Sequence, residues 1–169
     1  VEYLHKEVEE ADFAAKDKKG KTAVMYACEM GHLEVVKYLH TNRRNIEEAD
    51  FSAKDKEGKT AVMYACQAKG FLRDRDAPLK VVEYLHKEVE EADFAAKDKK
   101  GKTAVMYACE MGHLEVVKYL HTNRRNIEEA DFSAKDKEGK TAVMYACQAK
   151  GFLRDRDAPL KVVEYLHKE

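Results

Sequence analysis

Cysteine, histidine and tyrosine are the side chains best placed to do chemistry in this 169-residue sequence, which holds four, seven and nine of them. Cys28, Cys66, Cys109 and Cys147 stand singly and far apart, never as a C-x-x-C pair. That spacing writes neither a redox dithiol nor a compact thiolate metal site. Each lies in the same apolar segment, Thr-Ala-Val-Met-Tyr-Ala-Cys, so the expectation is a small reduced core thiol. His5, His40, His86, His121 and His167 recur beside charged neighbours and are expected to be partly exposed. No Ser, Cys or Asp is set to pair with them as a nucleophile. Neither H-E-x-x-H nor a glycine-rich phosphate cradle is present. Asp17-Lys-Lys-Gly20 lacks the further acidic ligands of a calcium loop. The expectation is a protein that is not an enzyme, with no metal and no cofactor.

Charge excludes other classes. The net charge is −1 with 37% of residues charged, which gives no global pull toward nucleic acid or a membrane surface. No apolar run approaches the roughly 18 residues that span a bilayer, and the opening Val1-Glu2-Tyr3 carries no signal-peptide pattern. A cytoplasmic or cytoskeletal location is expected.

The elements that position these residues come from repetition. Residues 1–88 are identical to residues 82–169, a shift of 81 without a substitution. Such identity implies recent duplication, gene conversion or engineering. Within that unit Gly20-Lys-Thr-Ala-Val-Met-Tyr-Ala-Cys28 recurs from Gly58, Gly101 and Gly139, at intervals of 38, 43 and 38 residues. Periods of this size mean one supersecondary unit stacked on the next. Each unit reads as hairpin, helix, loop, helix. Asp17-Lys-Lys-Gly20 is turn chemistry, and a short helix over Thr22 to Met30 stops at Gly31. A second helix starts near Leu33, with Leu33, Val35, Val36 and Leu39 as its apolar stripe and Glu34 paired with Lys37.

These residues resemble the ankyrin family. The likeness rests on Asp17-x-x-Gly20-x-Thr22, Ala27-Cys28, Gly31-His32-Leu33-Glu34-Val35-Val36-Lys37-Tyr38-Leu39 and Ala49-Asp50 through Asp55, and it runs the length of the chain. It implies an all-α solenoid of stacked helix-turn-helix pairs with short hairpin loops, wound as a right-handed stack. The expected units are a partial repeat at 1–12, a first type at 13–50 and 94–131, and a second type at 51–93 and 132–169. There are departures. The family's Thr-Pro-Leu-His reads Thr22-Ala23-Val24-Met25, which loses the helix-capping Pro and the linking His. Against a usual period of about 33 residues, the first type is longer by about 5 and the second by about 10. Thr41 through Glu48 is expected to lengthen the second helix, with Ile46 inward. The second type is expected to hold one extra residue in its first helix and a protruding loop, Phe71 through Pro78. Asp76 is its expected N-cap, and the helix that follows runs from Leu79 to about Glu90 with Val81, Val82, Leu85 and Val89 inward. His32 and His113 are expected to cap the second helices. Neighbouring cysteines would lie about 10 Å apart along such a stack, too far for a disulfide.

By resemblance, a partner would lie along hairpin tips and first helices. Those positions are Lys18, Lys19, Lys21 and Tyr26; Lys56, Glu57, Lys59 and Tyr64; Lys99, Lys100, Lys102 and Tyr107; and Lys137, Lys140 and Tyr145. A lysine-edged tyrosine stripe would suit an acidic extended protein segment. The bland alternative is that the tyrosines pack between repeats and the lysines keep the array soluble. Acidic runs at Glu7 through Asp12 and Ile46 through Asp50 are expected to form a solvated edge, or to attract the basic tips of a neighbouring array. Neither end carries a polar capping repeat: Val1, Leu4 and Val8, and Val162, Val163 and Leu166, belong to stacking helices. The leading expectation is a scaffold, one segment of a longer array or filament. A protein-binding adaptor and an engineered repeat without a native role are the alternatives. The partner is expected to be protein, or further copies of the chain end to end.

Overall fold

The computed structural model describes residues 12–42, 50–68, 74–124, 132–149 and 155–168. Among the described residues the regular elements are eight helices: α1 (Ala23–Glu29), α2 (Leu33–Thr41), α3 (Ala61–Cys66), α4 (Ala77–Glu88), α5 (Ala104–Met111), α6 (Leu114–Thr122), α7 (Ala142–Gln148) and α8 (Ala158–Lys168). They pack as pairs in chain order, α1 with α2, α3 with α4, α5 with α6 and α7 with α8. α1 packs on α3, α3 on α5 and α5 on α7, while α2 packs on α4, α4 on α6 and α6 on α8. This is a stack of helix pairs, as the periodicity predicts.

Helices of six to eight residues such as α1, α3, α5 and α7 would not hold alone in water. Two devices set their ends. The Thr22 Oγ1 accepts a hydrogen bond from the Met25 amide at 3.3 Å, and Thr60, Thr103 and Thr141 repeat the cap. A threonine cap is worth about 1 kcal/mol, so the missing Pro leaves the helix start defined. At the other end Gly31 turns left-handed at φ 68°, the His32 amide bonds the Ala27 carbonyl and the Gly31 amide bonds the Cys28 carbonyl. That is a two-bond glycine stop, and it satisfies carbonyls the helix leaves open. Packing supplies the rest. Val62, Met63, Cys66, Val81, Val82, Leu85 and Val117 are fully buried in one continuous core.

Several expectations are corrected. α2 ends at Thr41 with Asn42 as its C-cap, and its twin α6 ends at Thr122, because Asn42 and Asn123 turn their amide groups back onto the carbonyls of Tyr38 and Tyr119. The remainder of the expected extension, Ile46 included, lies outside the described residues, as do Val1, Leu4, Val8, most of the acidic runs and Phe71 to Arg73. The second type has no longer first helix: α3 and α7 are each one residue or more shorter than α5. α3 ends at Cys66 with Gln67 as its C-cap, and α7 at Gln148 with Ala149 as its C-cap. Asp76 sits at the N-cap of α4, but its side chain makes no cap bond. Asp74 accepts from the Asp76 amide instead, at 3.1 Å, and Pro78 lies in the first turn. α4 runs Ala77–Glu88, with Val89 buried just beyond it. His32 and His113 hold the N-cap positions of α2 and α6 without capping by side chain.

Candidate protein-binding face

The hairpins before the first helices are built on one aspartate each. In the first, the Asp17 Oδ1 accepts from the amides of Lys19 and Lys21, both at 2.8 Å, which closes the turn. The other oxygen, Oδ2, accepts from the Tyr26 hydroxyl at 2.8 Å, which ties the hairpin to its helix. The pattern recurs at Asp55 with Tyr64, at Asp98 with Tyr107 and at Asp136 with Tyr145, at 2.6 to 2.7 Å. Gly20, at φ 81°, serves two needs. It takes the left-handed turn, and it lets the next hairpin come so close that a Cβ there would lie 3.0 Å from the Lys56 amide nitrogen. That approach is used. The Lys56 amide donates to the Lys19 carbonyl, Lys99 to Glu57 and Lys137 to Lys100, all at 2.8 to 2.9 Å.

Lysine side chains fill the space between successive tyrosines. The Lys21 Nζ lies 4.0 Å from the centre of the Tyr26 ring and 4.3 Å from that of Tyr64. Lys59 sits between Tyr64 and Tyr107 at 5.5 and 4.6 Å, and Lys102 between Tyr107 and Tyr145 at 4.2 and 4.1 Å. These are cation–π distances, so each ammonium is held between the ring of its own repeat and that of the next. Carboxylates complete the sites: Lys21 pairs with Glu29, and Lys102 with Glu110 at 2.6 Å. Lys59 meets the neutral Gln67 amide at 3.1 Å instead. Burial next to a second lysine, Lys102, then holds the Lys59 ammonium below the usual lysine range, with burial the larger cause. The tyrosines respond to the same setting. Burial first, and then the aspartate each hydroxyl serves, pushes Tyr64, Tyr107 and Tyr145 upward.

The fourteen lysines and tyrosines expected to meet a partner therefore fall into two groups. Lys18, Lys19, Lys56, Lys99, Lys100 and Lys137 are exposed at the hairpin tips, and Glu57 is exposed with them. Lys21 and Lys102 are buried, and Lys59 and Lys140 are half-buried. Tyr64, Tyr107 and Tyr145 keep only 5%, 4% and 7% of their surface, while Tyr26 keeps 45%. The expected open stripe is thus closed at three of its four tyrosines, because the lysine of the preceding hairpin covers each ring. Among the described residues no lysine of a preceding hairpin covers Tyr26.

A second ladder escaped the sequence reading. On the second helices the His40 Nδ1 lies 2.9 Å from the Tyr84 hydroxyl, His86 2.7 Å from Tyr119 and His121 3.0 Å from Tyr165. Each imidazole also meets the edge or face of Phe51, Phe94 or Phe132 at 5.3 to 5.7 Å. His40, His86 and His121 are half-buried, as expected, and each bridges to the next pair; His167 is exposed, and His5 lies outside the described residues. The signal was the triplet Tyr-Leu-His at the end of each second helix. It became legible only once the helices were known to align. His113 bridges too, with its Nε2 2.8 Å from the Ala68 carbonyl, and burial holds its imidazole below the usual histidine range.

Cys28, Cys66 and Cys109 are buried and free, and Cys147 is free and exposed. Burial pushes the Cys28 and Cys109 thiols up to about 12. A buried thiol so raised is no nucleophile at neutral pH. Among the described residues, no cluster of three or more His, Cys, Asp or Glu is placed to hold a metal ion, and no helix is long and apolar enough to cross a membrane.

No curated protein matches the sequence significantly. A family comparison does match it: Ankyrin repeats (3 copies), over residues 1–88 and 73–169. Ankyrin repeats generally mediate protein–protein interaction, and the family is typically non-enzymatic. The matched segments span the whole chain and its helices stack in the family's manner, so this protein belongs to the ankyrin-repeat family.

Proposed function

We propose that the protein is a non-catalytic structural scaffold, one segment of a longer and filamentous ankyrin array in the cytoplasm. One observation carries the reading. The groups that hairpins and first helices would use to read a partner are already engaged inside the array: tyrosine hydroxyls on Asp17, Asp55, Asp98 and Asp136, and ammonium groups between rings. Polar groups committed in this way stiffen each junction and leave few donors for recognition. Electron microscopy and native mass measurement of material from its source test the reading. Elongated particles heavier than the 19.4 kDa of this chain are expected. Compact 19.4 kDa particles at every concentration would refute it.

The adaptor reading has its own support, the row of exposed lysines Lys18, Lys19, Lys56, Lys99, Lys100 and Lys137. Their partner would be an acidic, extended protein segment. Charge reversal at Lys18, Lys19, Lys99 and Lys100 would then abolish its capture without loss of helicity. Alanine at the buried tyrosines would not serve as a test, because it would also break the junctions.

A further inference from the structure

Among the described residues the junctions α1–α3, α3–α5 and α5–α7 are built alike, and the middle one lacks a charge. Seven residues past the capping threonines Thr22, Thr60 and Thr103 stand Glu29, Gln67 and Glu110. At the first and third junctions that glutamate closes the site. Lys21 pairs with Glu29 and Lys102 with Glu110, and both lysine side chains keep only 8% of their surface. Each ammonium is centred between its rings, at 4.0 and 4.3 Å for Lys21 and 4.2 and 4.1 Å for Lys102.

Lys59 has two such rings but not the same balance. Its Nζ stands 5.5 Å from the centre of Tyr64 and 4.6 Å from that of Tyr107. It donates to the neutral Gln67 Oε1 at 3.1 Å, and among the described residues no carboxylate pairs with it. Where Lys21 and Lys102 are buried, Lys59 and Gln67 are both half-open to solvent. Burial opposes the charge on Lys59; Asp55 favours it, Lys102 opposes it, and Asp98 and Glu110 favour it.

We propose that Lys59 and Gln67 form a subsite for one side-chain carboxylate, a Glu or Asp of an acidic extended protein segment bound along this face. The proposal rests on the adaptor reading and fixes the register of its partner. The ammonium and the Gln67 amide group offer N–H donors to the two oxygens of a carboxylate. A hydrogen bond between two charged groups is about twice as strong as a neutral one, and stronger again in a half-buried site. The neighbouring sites define the occupant, since each is completed by a carboxylate of the chain's own. They also supply the discrimination. Glu29 and Glu110 repel an acidic side chain presented at Lys21 or Lys102, so the segment gains its full contact at Lys59. The exposed tip lysines attract the rest of it without choosing a register.

The test fills the subsite from within. Gln67→Glu places at Lys59 the carboxylate that Lys21 and Lys102 already have. Thr41→Glu, at an exposed position on α2, adds the same charge away from this face. The probe is a labelled, end-capped heptaglutamate peptide, read by fluorescence anisotropy at low salt against the full chain, and circular dichroism checks the fold. Gln67→Glu is expected to weaken binding about tenfold, the worth of one charge-assisted hydrogen bond, and Thr41→Glu to change it less than about twofold. Without peptide, Gln67→Glu should melt at a higher temperature than the unsubstituted chain. A lower melting temperature overturns the proposal, and so does equal weakening by the two variants. Binding that is lost on charge reversal at Lys18, Lys19, Lys99 and Lys100 but survives Gln67→Glu sinks the subsite and leaves the adaptor reading standing. An unsubstituted chain that binds no heptaglutamate overturns both.

Discussion

Truncating the same methionine in two copies of one sequence should have two different consequences. Met63 on α3 and Met144 on α7 sit in identical local sequence, Thr-Ala-Val-Met-Tyr-Ala-Cys, and each is the third residue of its helix. Propensity, capping and the unfolded chain are therefore matched between them. Only position in the stack differs: Met63 is 0% exposed and Met144 50%. Truncating a fully buried methionine to alanine costs about 2–5 kcal/mol, as lost burial plus the cavity left behind. A substitution at a half-exposed site with no partner to lose stays within about 0.5 kcal/mol. Met63→Ala should thus lower the melting temperature by roughly 5–15 °C, at about 2–4 °C per kcal/mol for a domain of this size. Met144→Ala should move it by a degree or two. The chain has no Trp, so far-UV circular dichroism under heat and urea is the assay, run dilute enough to hold the protein monomeric. Equal losses from both variants would refute the claim that the next helix pair, and not the residue's own pair, buries this side chain.

Three further outcomes follow from the same contacts. Asp98→Ala leaves the buried Lys102 amide and the Tyr107 hydroxyl without their acceptor and should cost about 2–4 kcal/mol in urea titration, while Asp17→Ala, whose partner Tyr26 is exposed to water, should cost clearly less. Gly139→Ala should cost only about 1–2 kcal/mol for its φ of 79°, whereas Gly58→Ala adds a 3.1 Å clash with the Lys99 backbone and should cost more; equal losses would deny the hairpin contact. His86 and His113 sit below the ordinary value of 6.5, for both mainly because burial disfavours their charged forms. Between the lowered folded value and 6.5 the unfolded chain binds more protons, so stability should be full above about pH 7 and fall as pH drops through 6.5. The carboxylates Asp17, Asp74, Asp136 and Asp155 are lowered from 3.8 and act only in more acid solution, so a melting temperature unchanged between about pH 7.5 and 5.5 would contradict the histidine assignment.

The fold was legible because its signals are local and repeated. The Thr-to-Cys segment with its glycine stop, and the stripe of Leu33, Val36 and Leu39, locate the helices within a residue or two. What sequence alone could not supply was alignment between repeats. Tyr26 and Lys21 read as a free groove pair, but whether a ring is open or covered depends on the hairpin of the neighbouring unit, which lies 38 or 43 residues away. The His40–Tyr84 bond was hidden for the same reason: its partners are 44 residues apart and meet only after stacking. The second helix stops at Thr41 although Ile46 keeps the spacing of Leu39, because the Asn42 side chain returns to the Tyr38 carbonyl. The extra residue assigned to the second type's first helix failed because an alignment gap has no fixed place until the helix end is seen.

The most direct test of the stack counts thiols. The four cysteines occupy one position in four copies of a segment, yet Cys28, Cys66 and Cys109 are buried by their neighbours and Cys147 is not. Intact mass spectrometry of the dilute native chain, treated briefly with a thiol-alkylating reagent at neutral pH, should show one rapid addition and three more only on unfolding. A Cys147→Ser variant should show no rapid addition. Two or more rapid additions to the native chain, or a rapid addition that survives Cys147→Ser, would mean that these helices do not cover one another.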